Sequence, residues 1–225
     1  MLITTKGIVF RFTKYRETSI IVNIYTEELG LNSFIVNGVR SAKSKHNAGY
    51  FEPLNLIEVT AYHRPNRDIN RITEIKSSFP MHNIRQDIYK SAMGLFIAEV
   101  LNKCILERDK NLPLFNFLFN AIKELEQSPL NNSFHLQFMF KLSAYLGFGI
   151  HDTSSFILQS NNAPFYDKES NIMLLQQFIK SDFANAPSIA SSDRKIILNE
   201  ILHYYHLHME MPKLKSLEIL QTVFS

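Results

Sequence analysis

Through the first 76 residues apolar side chains return at every second position, the period of a pleated strand, and after Pro80 the period becomes helical. Ile8, Phe10 and Phe12 alternate with Arg11 and Thr13, placing the three apolar side chains on one strand face. Ile20, Val22 and Ile24 repeat the pattern, as do Phe34 with Val36, and Ile57 with Val59 and Ala61. In a fifth segment Asn70, Ile72 and Glu74 alternate with Ile69, Arg71, Thr73 and Ile75. Glu27-Glu28-Leu29-Gly30 reads as a hairpin turn in which Gly30 is free to take positive φ. His63-Arg64-Pro65-Asn66-Arg67-Asp68 plays that part between the fourth and fifth segments. Five short strands with no helix between them predict a closed or partly closed barrel, because closure removes open sheet edges. The OB type is the natural candidate, although an SH3-like barrel has a similar strand count.

Beyond Pro80 the pattern is that of an all-α domain. Residues 92–106 are apolar nearly all round, as in a helix at the centre of a bundle. Phe115, Leu118, Ile122 and Leu125 mark a second helix ending at Ser128-Pro129. A third runs from about Ser133 to Leu146 and stops at Gly147, a carboxy-terminal cap. Residues 148–171 are rich in Ser, Asn and Asp and read as an irregular loop, with helices resuming from about Leu174, from Ser191 to His208, and after Pro212. Ser191-Ser192-Asp193 is a good helix start. The expected organisation is therefore α+β multidomain, with a five-stranded OB-type barrel over 1–78 and a helical domain over 79–225.

Charge separates the two parts. Residues 1–76 hold 11 Lys or Arg against 7 Asp or Glu, while the remainder is close to neutral. A local basic excess is a footprint of an anionic partner such as nucleic acid, though an excess this small also suits an ordinary surface. A single cysteine, Cys104, excludes an internal disulfide and an all-cysteine metal site. No apolar run is long enough to span a membrane and the amino terminus lacks the layout of a secretory signal, so a cytoplasmic protein is expected.

The strongest local feature is Arg40-Ser41-Ala42-Lys43-Ser44-Lys45, after Asn37-Gly38 at the end of the third strand. Arg40, Lys43 and Lys45 can lie against phosphates while the Ser hydroxyls and loop amides add hydrogen bonds; a solvated loop has the same composition. Arg64, Arg67 and Arg71 form a second group, and Lys6, Arg11, Lys14 and Arg16 lie on and after the first strand. Stacking on aromatic rings is how OB barrels hold unpaired bases. Phe10, Phe12 and Phe34 fall on apolar strand faces and read as core; Tyr15 and Tyr62, at strand ends beside cations, are the better candidates. His203, His206 and His208 have Glu200 and Glu210 nearby, but with no second ligand group they read as ordinary helix residues and no metal is expected. No nucleophile with its base, phosphate-cradling glycine loop or metalloprotease motif occurs, so no catalysis and no cofactor are expected.

Several ordered segments carry a family resemblance. Thr5-Lys6-Gly7-Ile8-Val9-Phe10-Arg11 is followed by Tyr15-Arg16-Glu17-Thr18-Ser19-Ile20-Ile21 and Tyr25-Thr26-Glu27-Glu28-Leu29-Gly30. Next come Asn37-Gly38-Val39-Arg40-Ser41-Ala42-Lys43-Ser44 and Phe51-Glu52-Pro53-Leu54. Leu142, Tyr145, Leu146, Gly147 and Phe148 resemble the end of a helical core segment, and Leu214-Lys215-Ser216 a closing helix. In this order the segments resemble the RecO family. That resemblance implies an OB-fold followed by a helical domain, binding of single- and double-stranded DNA, and annealing of complementary strands. It also implies work with RecR and single-strand-binding protein, through that protein's carboxy-terminal tail, to help load RecA, in a cytoplasmic, nucleoid-associated setting. The family's basic surface maps onto Arg40, Lys43 and Lys45; the other cations named above extend it. Many members carry a four-cysteine zinc module, and residues 148–171 contain no cysteine, so zinc is not carried over. A protein-docking adaptor with little DNA contact is the alternative reading.

Overall fold

The computed structural model describes residues 1–41, 48–64 and 67–224. They form two compact units, Met1–Arg85 with Ala98–Lys123, and Gln86–Ile97 with Glu124–Ser225.

The first unit is built on five strands: β1 (Leu2–Tyr15), β2 (Ser19–Thr26), β3 (Gly30–Val36), β4 (Leu56–Tyr62) and β5 (Ile69–Ser77). They close in the order β1-β2-β3-β5-β4, with β4 returning to β1 and only the β3–β5 pair parallel. That order is the OB topology, and it settles the choice that strand number left open. One strand serves two sheets' worth of pairing. The first half of β1 pairs with β4 and its second half with β2, and a bulge between Val9 and Arg11 turns the chain from one to the other.

The bulge also changes which side chains face inward. Val9 joins Ile20, Val22, Ile24, Phe34, Val36, Ile57, Val59 and Ile72 inside the barrel. Ile8 and Phe10 are buried on the outside instead: Phe10 stacks on Tyr25 at 5.6 Å, and Tyr25 stacks at 6.3 Å on Phe115 of a helix laid over the barrel. Phe12, past the bulge, returns to the register of Val22 but is 42 % exposed. The expected shared face of Ile8, Phe10 and Phe12 is therefore corrected, because one inserted residue shifts a period-two pattern to the opposite side.

Among the described residues eight α-helices follow: α1 (Asn83–Gln86), α2 (Ile88–Cys104), α3 (Leu112–Gln127), α4 (Phe134–Tyr145), α5 (Thr153–Ile157), α6 (Glu169–Lys180), α7 (Ser191–Met209) and α8 (Ser216–Val223). No helix among the described residues is long and apolar enough to cross a membrane. α2 and α3 each contribute residues to both units. Gly147 takes φ +89 just after α4, where the Phe148 N–H closes on Ser143 O at 3.1 Å. Within 148–171 the chain is more ordered than its composition suggests: the Asp152 carboxylate accepts from Ser155 N–H at 2.8 Å and caps α5, and α6 already begins at Glu169. That hydrogen bond, ahead of the Ser155 hydroxyl, holds the Asp152 carboxyl below its ordinary pKa.

In the second unit α4 is buried nearly all round, and its polar side chains are spent on neighbouring helix ends. Gln137 donates to Phe178 O and Ser181 O at 2.9 and 2.8 Å, satisfying the last carbonyls of α6. Lys90 does the same for α3, its ammonium 2.7 Å from Ser128 O. Tyr205 of α7 donates to Met139 O at 2.7 Å.

His135 is the costly member of α4. Its ring is buried edge-on against Phe96 at 6.0 Å, its Nδ1 has no partner, and burial, with Arg194 nearby, pushes its pKa from 6.5 down to about 3. The unfolded chain protonates this imidazole below 6.5 while the folded chain stays neutral to about 3, so unfolding takes up a proton across that window. Stability is expected to fall as pH drops through it, by on the order of 3 kcal/mol between pH 7 and pH 4. Urea midpoints at the two pH values check this. His135→Phe, which fits the same aromatic surroundings, should flatten the dependence; an unchanged slope would reject the assignment.

Candidate nucleic-acid interface

Strand register decides which side chains share the barrel's outer face, because residues directly opposite one another point the same way. Thr13, Ile21, Ile35, Arg71, Tyr62 and Leu2 follow one another around the barrel as successive register partners. Arg11, Asn23, Ser33 and Ile69 form the neighbouring row. Both rows lie outside the core. Their centre is the outward face of β2 and β3, where OB barrels take oligonucleotides, and the loops bordering it are β1–β2 and β4–β5.

The β1–β2 turn is Arg16-Glu17-Thr18, with Tyr15 paired to Ser19. Arg16 takes the left-handed conformation, φ 51, and its guanidinium lies 5.2 Å over the Tyr15 ring. Arg40 reaches this turn from the end of β3: its guanidinium donates to the carbonyls of Arg16 and Glu17, and its own N–H to Thr18 O. Arg40 remains exposed, yet part of its donor capacity is used in holding the turn.

At the other border, Arg64 and Arg67 are exposed on the β4–β5 loop. Arg64 N–H donates to the buried Asn70 carboxamide at 2.9 Å and Arg67 N–H to Arg64 O at 3.0 Å, which shapes the loop from within. Tyr62, 55 % exposed, stands beside Arg71 in register.

The structure thus brings Arg11, Tyr15, Arg16, Arg40, Tyr62, Arg64, Arg67 and Arg71 onto one face and its two bordering loops. Lys14 is exposed further along β1, in register with Ile20. Lys6 is set apart: its ammonium lies 5.8 Å over Phe119 of α3, and its β4 partner Glu58 is paired with Lys76 at 2.7 Å. Lys43 and Lys45 lie outside the described residues.

Sequence reading missed Ile21, Ile35 and Ile69, apolar residues on the outward rows, and Phe12. The first three carried a signal: by alternation they point outward, where an apolar side chain stays only if something covers it. Phe12 had none: it shares the register of the core residue Val22, and nothing in the pattern reports that it is 42 % exposed.

Two histidines of α7, His206 and His208, are held individually. The His208 ring stacks on Phe148 at 5.2 Å with its Nε2 3.0 Å from Gln159, and His206 Nδ1 lies 3.4 Å from Met211 O. Among the described residues no three His, Cys, Asp or Glu side chains gather as a metal ion would require. Cys104 is buried, with its thiol pKa pushed up to about 12 by burial, a poor nucleophile.

The fold and face together define an OB-barrel protein with a helical extension. The family profile described as Recombination protein O N terminal matches residues 1–80, and that described as Recombination protein O C terminal matches residues 85–218. The chain belongs to the RecO family. It is 34 % identical to the DNA repair protein RecO of Flavobacterium psychrophilum over the full length of both chains. The corresponding proteins of Bacteroides fragilis and Christiangramia forsetii are 35 % and 34 % identical, again over all of each chain.

Proposed function

We propose that this chain is a DNA-binding recombination mediator whose barrel holds single-stranded DNA across the outer β2–β3 face. The observation that carries the reading is the register placing Arg11, Arg71 and Tyr62 on adjoining outward rows between two arginine-bearing loops. Cations there release counterions from phosphates without reading sequence, and Tyr15, Tyr62 and the apolar strip of Ile21 and Ile35 offer surfaces for bases. Annealing follows from charge neutralisation: two polyanions can approach, and base pairing supplies the driving force. No catalytic residue is needed. Double-stranded DNA meets the same cations through its phosphates, RecR enters as a protein partner, and RecA enters indirectly, as the recombinase helped onto the single strand. Lys14, Arg40, Lys43 and Lys45 belong to this reading as further phosphate contacts, and Lys6 as a peripheral one.

The test is affinity for a labelled oligothymidine measured against salt. A steep fall with salt is expected, and absence of binding at low salt would overturn the reading.

The adaptor reading has one observation in its favour. A cavity of about 230 Å³ in the second unit is lined by Arg194 and Lys195 together with Leu198, Leu220 and Phe224. Cationic and apolar walls suit an acidic, phenylalanine-ended tail such as that of single-strand-binding protein. Calorimetry with that tail peptide should give heat that Lys195→Glu reduces; no heat at high peptide concentration rejects it.

A further inference from the structure

We propose that Arg108, from the segment between α2 and α3, is part of the DNA-binding surface, and that Asp68 occupies its guanidinium in the place of a phosphate. The inference rests on the DNA-binding reading above and extends it beyond the barrel strands.

Arg108 Nη1 lies 2.8 Å from Asp68 Oδ1, and the two side chains are 66 % and 85 % exposed. Asp68 directly follows Arg67 on the β4–β5 loop, so Arg64, Arg67 and Arg108 serve one loop that holds a single carboxylate. An ion pair this exposed contributes little to stability and exchanges readily for another anion.

The pair is also not what holds the segment in place. The backbone of Arg108 and Asp109 packs on Gly30 so closely that a Cβ there would stand 2.6 Å from Arg108 O and 2.3 Å from Asp109 O. Lys110 pairs with Glu28 at 2.7 Å, and the Tyr25 hydroxyl lies 3.5 Å from Asn111 O. With its backbone secured by these contacts, Arg108 presents a guanidinium beside the arginines of the β4–β5 loop whether or not Asp68 binds it. A phosphate takes the bidentate geometry of a carboxylate and adds counterion release, so it displaces Asp68.

The two partners of the pair therefore have opposite expected effects. With labelled oligothymidine across a salt series, Arg108→Gln should weaken binding by about 3- to 10-fold and make the log–log salt slope shallower by about 0.7, the value for one phosphate contact on a single strand. Asp68→Asn should strengthen binding a few-fold at low salt, and this gain should shrink in the Arg108→Gln background. If the pair is instead a strut that shapes the loop, both single variants weaken binding alike, and the proposal falls. An unchanged affinity and slope in Arg108→Gln also overturns it. Wild-type protein that binds no DNA at all would sink the DNA-binding reading itself, an outcome separate from these.

Discussion

Replacing Arg16, Arg67 and Arg71 together by Gln is expected to lower single-stranded DNA affinity by about 100-fold near physiological salt and to reduce the salt slope by about 2. The three side chains come from the β1–β2 turn, the β4–β5 loop and the outward face of β5, and all are exposed. Their loss should therefore leave the melting temperature within a few degrees. Arg40→Gln provides the contrast. Because the Arg40 guanidinium donates to the carbonyls of Arg16 and Glu17, its removal loosens the turn as well as deleting a charge. Its affinity loss should exceed what its slope change alone accounts for. A triple variant with wild-type affinity and slope would show that the outer β2–β3 face is not where the strand lies.

The second large effect concerns Gly30→Ala, expected to cost on the order of 3 kcal/mol and to lower the urea midpoint of the first unit. Two penalties coincide at this residue. Its φ is +65, a conformation an L side chain rarely takes, and its Cβ would meet the fixed carbonyls of Arg108 and Asp109. Gly147→Ala separates them: φ there is +89 but nothing stands within 4 Å of a Cβ, so only the conformational cost of about 1 kcal/mol applies. Equal losses for the two substitutions would mean that the segment at 108–109 yields to Gly30, and the secured backbone invoked for Arg108 would go with it.

Much of the barrel was legible because its strands follow a strict physical rule. Val22, Ile24, Phe34, Val36, Ile57, Val59 and Ile72 are inside, as alternation requires. The rule failed at β1, where Ile8 is buried on the outside and Phe10, the extra residue of a bulge, is covered by aromatic contacts leading to Phe115. Nothing in a local pattern reports that a helix some hundred residues later covers a strand's outer side. The α5 turn was hidden for a related reason: a run of Ser and Asp reads as loop until the Asp152 carboxylate is seen to cap it.

The candidate face shows the same division. Sequence by itself determined that arginines and tyrosines cluster at strand ends and turns, and that Gly30 is free to adopt a positive φ. Those are consequences of residue type, local order and steric freedom. It could not decide which cations share a surface. Lys6 and Arg11 are five residues apart in one strand, yet the register sends Lys6 to a row with Glu58 and Lys76, near Phe119, and Arg11 to the row of Asn23 and Ser33. Arg108 lies 40 residues from Asp68 and meets it only because the chain closes back on the barrel. Charge is a property of a residue, whereas proximity between distant segments is set by pairing register and packing, and only the tertiary structure supplies those.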